Sequence, residues 1–291
     1  MSIRPRRSAL YMPGSNQRAL EKAKNLAADS LVLDLEDSVG PEKKVAARES
    51  VVAAVKAGGY GQREMIIRAN ASDSQWGVDD VKAIATSGAD GICLPKVETA
   101  EQVHQVAALL DSAGAPASMN IWVMIETPLG VMNIQQIVSS EKRLNVILMG
   151  TTDLAKELRT PHTTDRIGLQ FCLGQCVLAA RANNKEILDG VYLDLHDEPG
   201  FIAACEQGRD MGFDGKTLIH PKQLGAANQV FAPSEADLVK AKAIIAAWEV
   251  AEAEGKGVVV VDGKLVEVMH IDEAKRHLEI ASTIEALQEN E

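Results

Sequence analysis

NIWVMIE at residues 120–126 and NVILMG at residues 145–150 are apolar runs of strand length, and each gives way to a helical segment. The first run closes on Glu126 and passes through Thr127-Pro128, a pair suited to opening a helix; the second passes into TTDLAKEL. The same alternation repeats in both directions. Runs at Ala9 to Pro13, Ser30 to Glu36, Glu64 to Asn70 and Gly91 to Lys96 come before, and runs at Ile187 to Leu193 and Gly215 to Pro221 come after. Between the runs, segments such as SNQRALEKAKNLAA, PEKKVAARESVVAAVKA and TAEQVHQVAALLDSAGA carry apolar residues at helical spacing and charge on the opposite face. Eight strand–helix units in this order predict an α/β fold, a parallel sheet closed into a (β/α)8 TIM barrel, with a doubly wound open sheet as the alternative.

The tail differs in kind. After a helical stretch from Ser234 to Gly255, two valine-rich segments flank Asp262-Gly263, a strong signal for a two-residue hairpin, and an amphipathic helix follows. This predicts a barrel over residues 1–233 and a C-terminal extension over 234–291, the latter a hairpin-plus-helix lid joined through Gly255 to Gly257.

Composition narrows the function. With 291 residues, 46% of them hydrophobic, the chain can bury one large core. It has no apolar run near the roughly 20 residues of a membrane span and no signal-peptide pattern at its start, so a cytoplasmic protein with no membrane partner is expected. The four cysteines, Cys93, Cys172, Cys176 and Cys205, form no CxxC pair and read as reduced core thiols. A net charge of −11 argues against nucleic acid, which needs a basic face. A local exception is the group Arg4, Arg6, Arg7, Arg18, Lys22 and Lys24, which could receive an anion or simply be solvated surface.

In such a barrel the chemistry comes from the carboxyl ends of the strands. The polar residues there are Asp34, Glu36 and Asp37 after the second run, Arg68 and Asn70 on the third, Lys96 on the fourth and Glu126 on the fifth. Asp153 lies just past the sixth, Asp189 or Asp194 marks the seventh, and His220 the eighth. Glu126 and Asp153 follow neighbouring strands about 4.8 Å apart, so their carboxylates can converge on one hard cation; Asp153 as a helix cap is the alternative. Arg68, nearly walled by apolar residues, needs an anion, either a substrate carboxylate held bidentately or an internal pair with Asp34 or Glu36. Asp34, Glu36 and Asp37 suit the supporting role of orienting basic groups rather than binding metal. The Pro13-Gly14-Ser15-Asn16 loop enters a helix and could bind an anion, or Ser15 could be a plain cap. His104 and His277 fall on polar helix faces, and His220 suits a structural hydrogen bond. No HExxH, GxSxG, GxxxxGK[ST] or GxGxxG pattern occurs, which removes the usual zinc-protease, serine-hydrolase, P-loop and dinucleotide readings.

Together RSALYMPGSN (7–16), LDLEDSVGPEKKVAAR (33–48), IIRAN (66–70), GICLPKVET (91–99), VMIETPLGV (123–131), MGTTDLAKEL (149–158), DGVYLD (189–194) and GFDGKTLIHPKQ (212–223) resemble the citrate lyase β-subunit-like family of CoA-ester lyases. Within it the chain looks most like malyl-CoA and citramalyl-CoA lyases and the malyl-CoA thioesterases. The resemblance implies Mg²⁺, with Mn²⁺ as a substitute, held by Glu126 and Asp153. It implies Arg68 on the small-acid end of a CoA-thioester substrate, with Tyr11, Pro13, Gly14, Asn16 and Lys22 along the CoA path. It also implies a homotrimer or hexamer in which the tail covers a neighbouring subunit's site and contributes an acid or base. There DGKLVE (262–267) places Glu267 where aspartate is usual, one methylene longer, and a misplacement on the order of 1 Å can cost about a hundredfold in rate. The expected reaction is cleavage of a β-hydroxyacyl-CoA into acetyl-CoA or propionyl-CoA and glyoxylate or pyruvate. The alternatives are hydrolysis to malate and CoA, or a citrate lyase β subunit working on an acyl-carrier-protein thioester.

Overall fold

The computed structural model describes residues 4–255 and 257–289. Eight parallel strands, β1 (Ser8–Pro13), β2 (Ser30–Asp34), β3 (Glu64–Arg68), β4 (Gly91–Leu94), β5 (Asn120–Ile125), β6 (Leu144–Met149), β7 (Glu186–Asp189) and β8 (Gly215–Leu218), pair in sequence order. β8 returns to β1, and the sheet closes into a barrel with helices between the strands. The (β/α)8 barrel expected from the alternation is therefore the fold; the open sheet is not.

Alternation along each strand sorts the core into two layers. Ala9, Val32, Ile66, Cys93, Trp122, Met124, Val146, Leu148 and Leu188 fill the interior. Leu10, Leu31, Leu33, Ile67, Ile92, Ile121, Ile147 and Ile187 pack outward against the helices. At the amino ends of the strands Arg6 closes the interior: it forks onto Glu64 at 2.6 and 2.8 Å, also pairs with Glu186, and lies 5.5 Å from the Trp122 ring centre. All four cysteines are buried and free.

Several strands end earlier than the apolar runs suggest. β2 stops at Asp34 and not Glu36, β3 at Arg68 and not Asn70, β4 at Leu94 and not Lys96, and β7 at Asp189 and not Leu193. Buried side chains continue past the last ladder bond, so hydrophobicity overshoots. At β4 the physical stop is Pro95, which lacks a donor, followed by Lys96 with φ +52°.

The chain divides into two compact units, one of residues Arg6–Phe231 and a smaller one formed largely by the described residues from Ala232 onward. In the smaller unit Ser234 caps the helix Glu235–Ala253 through a capping box with Asp237. β9 (Val259–Val261) and β10 (Lys264–Val266) then form an antiparallel hairpin. Its turn residues Asp262 and Gly263 have φ +49° and +75°, as a two-residue turn of the primed type requires. The helix Val268–Glu289 completes the unit, whose own core is Ala241, Ile244, Val266, Ile271 and Ala274. Lys256, within the expected Gly255–Gly257 junction, lies outside the described residues. Among the described residues no helix is long and apolar enough to cross a membrane.

Candidate active site

Strand register builds the site. Asp34 and Arg68 are register partners on β2 and β3, so an acid and a base, each the last residue of its strand, face each other. Arg68 Nε and Nη2 donate to the two Asp34 oxygens at 2.7 and 2.8 Å, and Asp34 also accepts the N–H groups of Glu36 and Ser38. Arg68 Nη1 stands 3.0 Å from Glu36 and 3.5 Å from Asp37, and the guanidinium lies 4.8 Å from the centre of the Tyr11 ring. The bidentate edge of Arg68 is thus spent inside the protein. Of the two readings of Arg68 the structure shows the internal pair, with Asp34 on the bidentate edge and Glu36 beside Nη1, the side turned away from Asp34. Burial opposes charge on Arg68, but Tyr11, Asp34 and Glu36 more than restore it and its pKa is raised. Burial likewise pushes Asp34 up, yet the Arg68 contacts prevail and hold it below the usual carboxylate range.

Glu126 follows Ile125, whose register partner on β6 is Met149, so Glu126 stands beside Gly150. The two are in such close contact that a Cβ on Gly150 would lie 2.7 Å from Glu126 Oε2. Glu126 Oε1 accepts the Lys96 N–H at 2.7 Å. Its carboxyl is pushed up to about 8, first by burial and further by the charges of Glu36 and Asp153, against the Lys96 N–H and Arg68. Asp153 sits half-buried in the first turn of the helix Thr151–Leu158. That helix has no side-chain cap bond, so the capping alternative for Asp153 falls away.

A cavity of about 360 Å³ joins these groups; its wall includes Tyr11, Asp34, Asp37, Arg68, Glu126 and Asp153, with Met124, Met149, Val191 and Ile219 on the apolar side. Five acids, counting Glu36, face the cations Arg68 and Lys96 here. This acidic excess, and a buried Glu126 that resists ionising alone, suit a divalent cation. Among the described residues no three His, Cys, Asp or Glu side chains converge as a metal cage. The donor chemistry is therefore that of two carboxylates completed by water and substrate oxygens, which fits Mg²⁺.

Pro13, Gly14, Asn16 and Lys22 are not among the cavity-lining residues. Gly14 packs against the end of β2, where a Cβ would meet the Asp34 carbonyl at 2.5 Å. Asn16, not Ser15, caps the helix Gln17–Ala23 by accepting the Ala19 N–H, and Lys22 is exposed on that helix. Glu267 belongs to the smaller unit, where its side chain is exposed and its backbone N–H donates to His270 Nδ1. His220 Nδ1 accepts the Lys222 N–H, the structural bond expected of it. Asp189 ends β7 but is fully buried between Arg166 and Lys216 at 2.6 and 2.7 Å.

Sequence reasoning missed two supports, Lys44 and Gly150, and placed Lys96 at the end of the fourth strand without its backbone bond to Glu126. Lys44, buried, donates to the Leu35 and Glu36 carbonyls at 2.9 and 2.7 Å and holds the turn carrying Glu36 and Asp37. Lys96 and Gly150 hold Glu126 from two sides. The one available signal was the second lysine of PEKK, at the start of a helix beneath the acidic turn.

A parallel eight-stranded barrel with an acid-lined cavity at the carboxyl ends of its strands is the architecture of an enzyme. The chain belongs to the HpcH/HpaI aldolase/citrate lyase family, whose pattern it matches over residues 7–221. It is 50% identical over 282 residues to a (3S)-malyl-CoA thioesterase of Cereibacter sphaeroides (strain ATCC 17025 / ATH 2.4.3), covering 97% of this chain and 96% of the relative. It is 36% identical to the citrate lyase subunit beta of Escherichia coli (strain K12), covering 94% and 92%. Among solved structures it resembles the protein CitE from Mycobacterium tuberculosis in complex with magnesium, acetoacetate and coenzyme A. That likeness has a TM-score of 0.77 and 25% identity, over 96% of this chain and 98% of the other.

Proposed function

We propose that this chain is a Mg²⁺-dependent enzyme of malyl-CoA-type thioesters, acting foremost as a thioesterase that yields malate and free CoA. The observation that carries the reading is the union, in one small cavity, of a fixed guanidinium with two carboxylates that follow adjacent strands, Glu126 just past β5 and Asp153 in the helix after β6. The 50% identical thioesterase moves hydrolysis ahead of the carbon–carbon lyase expected from the motifs. The lyase, releasing acetyl-CoA or propionyl-CoA and a keto acid, remains the second reading and is favoured by the citrate lyase relative; a carrier-protein thioester is the third.

In this reading Arg68 Nη1 meets the free carboxylate of the acyl group, and Asp34 keeps the guanidinium aimed. Glu126 and Asp153 hold the cation, which supplies Lewis-acid polarisation of substrate oxygens when bound. The cavity takes the acyl head, while the nucleotide lies outside it along the loop of Pro13, Gly14 and Asn16 and the helix of Lys22. Glu267 from a neighbouring subunit of a trimer or hexamer is the acid or base. In hydrolysis it takes a proton from water as oxygen attacks the thioester carbon, the carbon–sulfur bond breaks, and the thiolate leaves with a proton. In lysis it takes the hydroxyl proton as the carbon–carbon bond breaks, and the thioester enolate is then protonated. Four buried free thiols support work in a reducing compartment such as the cytoplasm.

The test is a paired assay of the purified chain with Mg²⁺ and malyl-CoA or citramalyl-CoA, following free thiol with a disulfide dye and keto acid as its phenylhydrazone. Thiol without keto acid establishes the thioesterase. Keto acid without thiol transfers the assignment to the lyase, and silence in both channels with both substrates refutes the proposal.

A further inference from the structure

Lys96 combines two features that a surface lysine does not need. It has φ +52°, left-handed backbone that strains an L residue, and it lies between buried Pro95 and Val97 at the end of β4. The turn points the Lys96 N–H at Glu126 Oε1, 2.7 Å away, while Val97 N–H returns to the Met124 carbonyl at 3.2 Å. The Lys96 side chain, 47% exposed, brings its ammonium to 3.5 Å from Glu36 Oε1. Backbone and side chain therefore serve different acids.

We propose that Lys96 is a positioning residue: its left-handed backbone locks Glu126 Oε1 so that Oε2 is presented on the Gly150 side, toward the segment that carries Asp153, preset for a shared divalent cation. The strain is retained because relaxing it would release Glu126. The ammonium is secondary, trimming the acidic excess without setting the carboxylate's direction. The inference rests on the cation reading proposed above.

Two substitutions separate the roles. Lys96→Gly and Lys96→Val both remove the ammonium, but only glycine adopts φ +52° without strain, whereas a β-branched residue resists it. The readout is calorimetric titration of the full chain with MgCl₂ alone, beside a thermal melt. The expected result is that Lys96→Gly binds Mg²⁺ as well as the unsubstituted chain or a few-fold tighter, and that Lys96→Val binds about tenfold more weakly than Lys96→Gly. If Lys96→Val does not fold, Lys96→Asn takes the comparison from the other side: asparagine tolerates the left-handed region and should bind within about twofold of glycine. Folded Val and Gly variants of equal affinity, or an Asn variant far weaker than Gly, overturn the inference while leaving the cation site standing. Absence of Mg²⁺ binding by the unsubstituted chain overturns both.

Discussion

Replacing Gly150 by alanine adds one methyl group where the ends of β5 and β6 come together. Gly150 has φ −88°, which alanine adopts freely, so the substitution has no backbone cost of its own. The added Cβ, however, would lie 2.7 Å from Glu126 Oε2 and nearer still to Glu126 Cβ, against an ordinary contact of 3.4 Å. The tightest contact, that to Glu126 Cβ, cannot be relieved by turning the side chain, so the ends of β5 and β6 must part and carry the carboxylate with them on the order of 1 Å, a misplacement that costs about a hundredfold in rate where geometry matters. Steady-state thiol release from malyl-CoA should show kcat/KM for Gly150→Ala down about a hundredfold at 25 °C, in a chain that still folds with Tm lowered by about 3–8 °C, as overpacking of about 1–3 kcal/mol implies. A variant with unchanged kcat/KM would refute the reasoning that Glu126 is held by close approach to Gly150. A variant that loses its fold and its activity together would show that the contact is structural and not catalytic.

Three further outcomes are expected. Arg6→Met leaves Glu64 and Glu186 without their shared cation at the closed end of the barrel, which costs about 3–5 kcal/mol and lowers Tm by about 10 °C while activity at 25 °C persists; calorimetry and the thiol assay check this together. Burial pushes Asp189 up, but Lys216 and Arg166 prevail and its pKa is lowered, so its contribution to stability is full above the unfolded value of about 3.9 and is lost as pH falls toward the folded value. The stability gap between the unsubstituted chain and Asp189→Asn should accordingly shrink as denaturant melts are taken from pH 5 to below pH 3, and a gap constant over that range would contradict the assignment. Glu267→Gln and Glu126→Gln chains, each inactive, should regain activity when unfolded, mixed and reassembled, since a shared site can draw Glu126 from one chain and Glu267 from another; no recovery from refolded mixtures counts against a shared site.

The barrel was readable because its strands are continuous apolar runs ending on polar residues, and the same rule located Arg68, Glu126 and Asp153. What could not be read depends on register and close approach. IIRAN shows that Arg68 needs an anion, but only the β2–β3 register, which sets Asp34 opposite Arg68, shows that its bidentate edge is already taken. The left-handed turn at Lys96 and the contact of Gly150 with Glu126 join residues 30 and 24 positions apart through strand pairing, and neither leaves a local pattern. The same holds for Asp189, whose partners Arg166 and Lys216 lie on separate segments. The tail hairpin was plain because Asp262-Gly263 encodes its turn locally.

The central claim is that Glu126 and Asp153 form the cation site of this barrel. Crystals grown with Mn²⁺ and measured at its absorption edge test it directly. One anomalous peak is expected within about 2.3 Å of carboxylate oxygens from both residues, absent in Asp153→Asn crystals. A peak held instead by Asp34, Glu36 or Asp37, or no peak in crystals of an enzyme that Mn²⁺ activates, would contradict it.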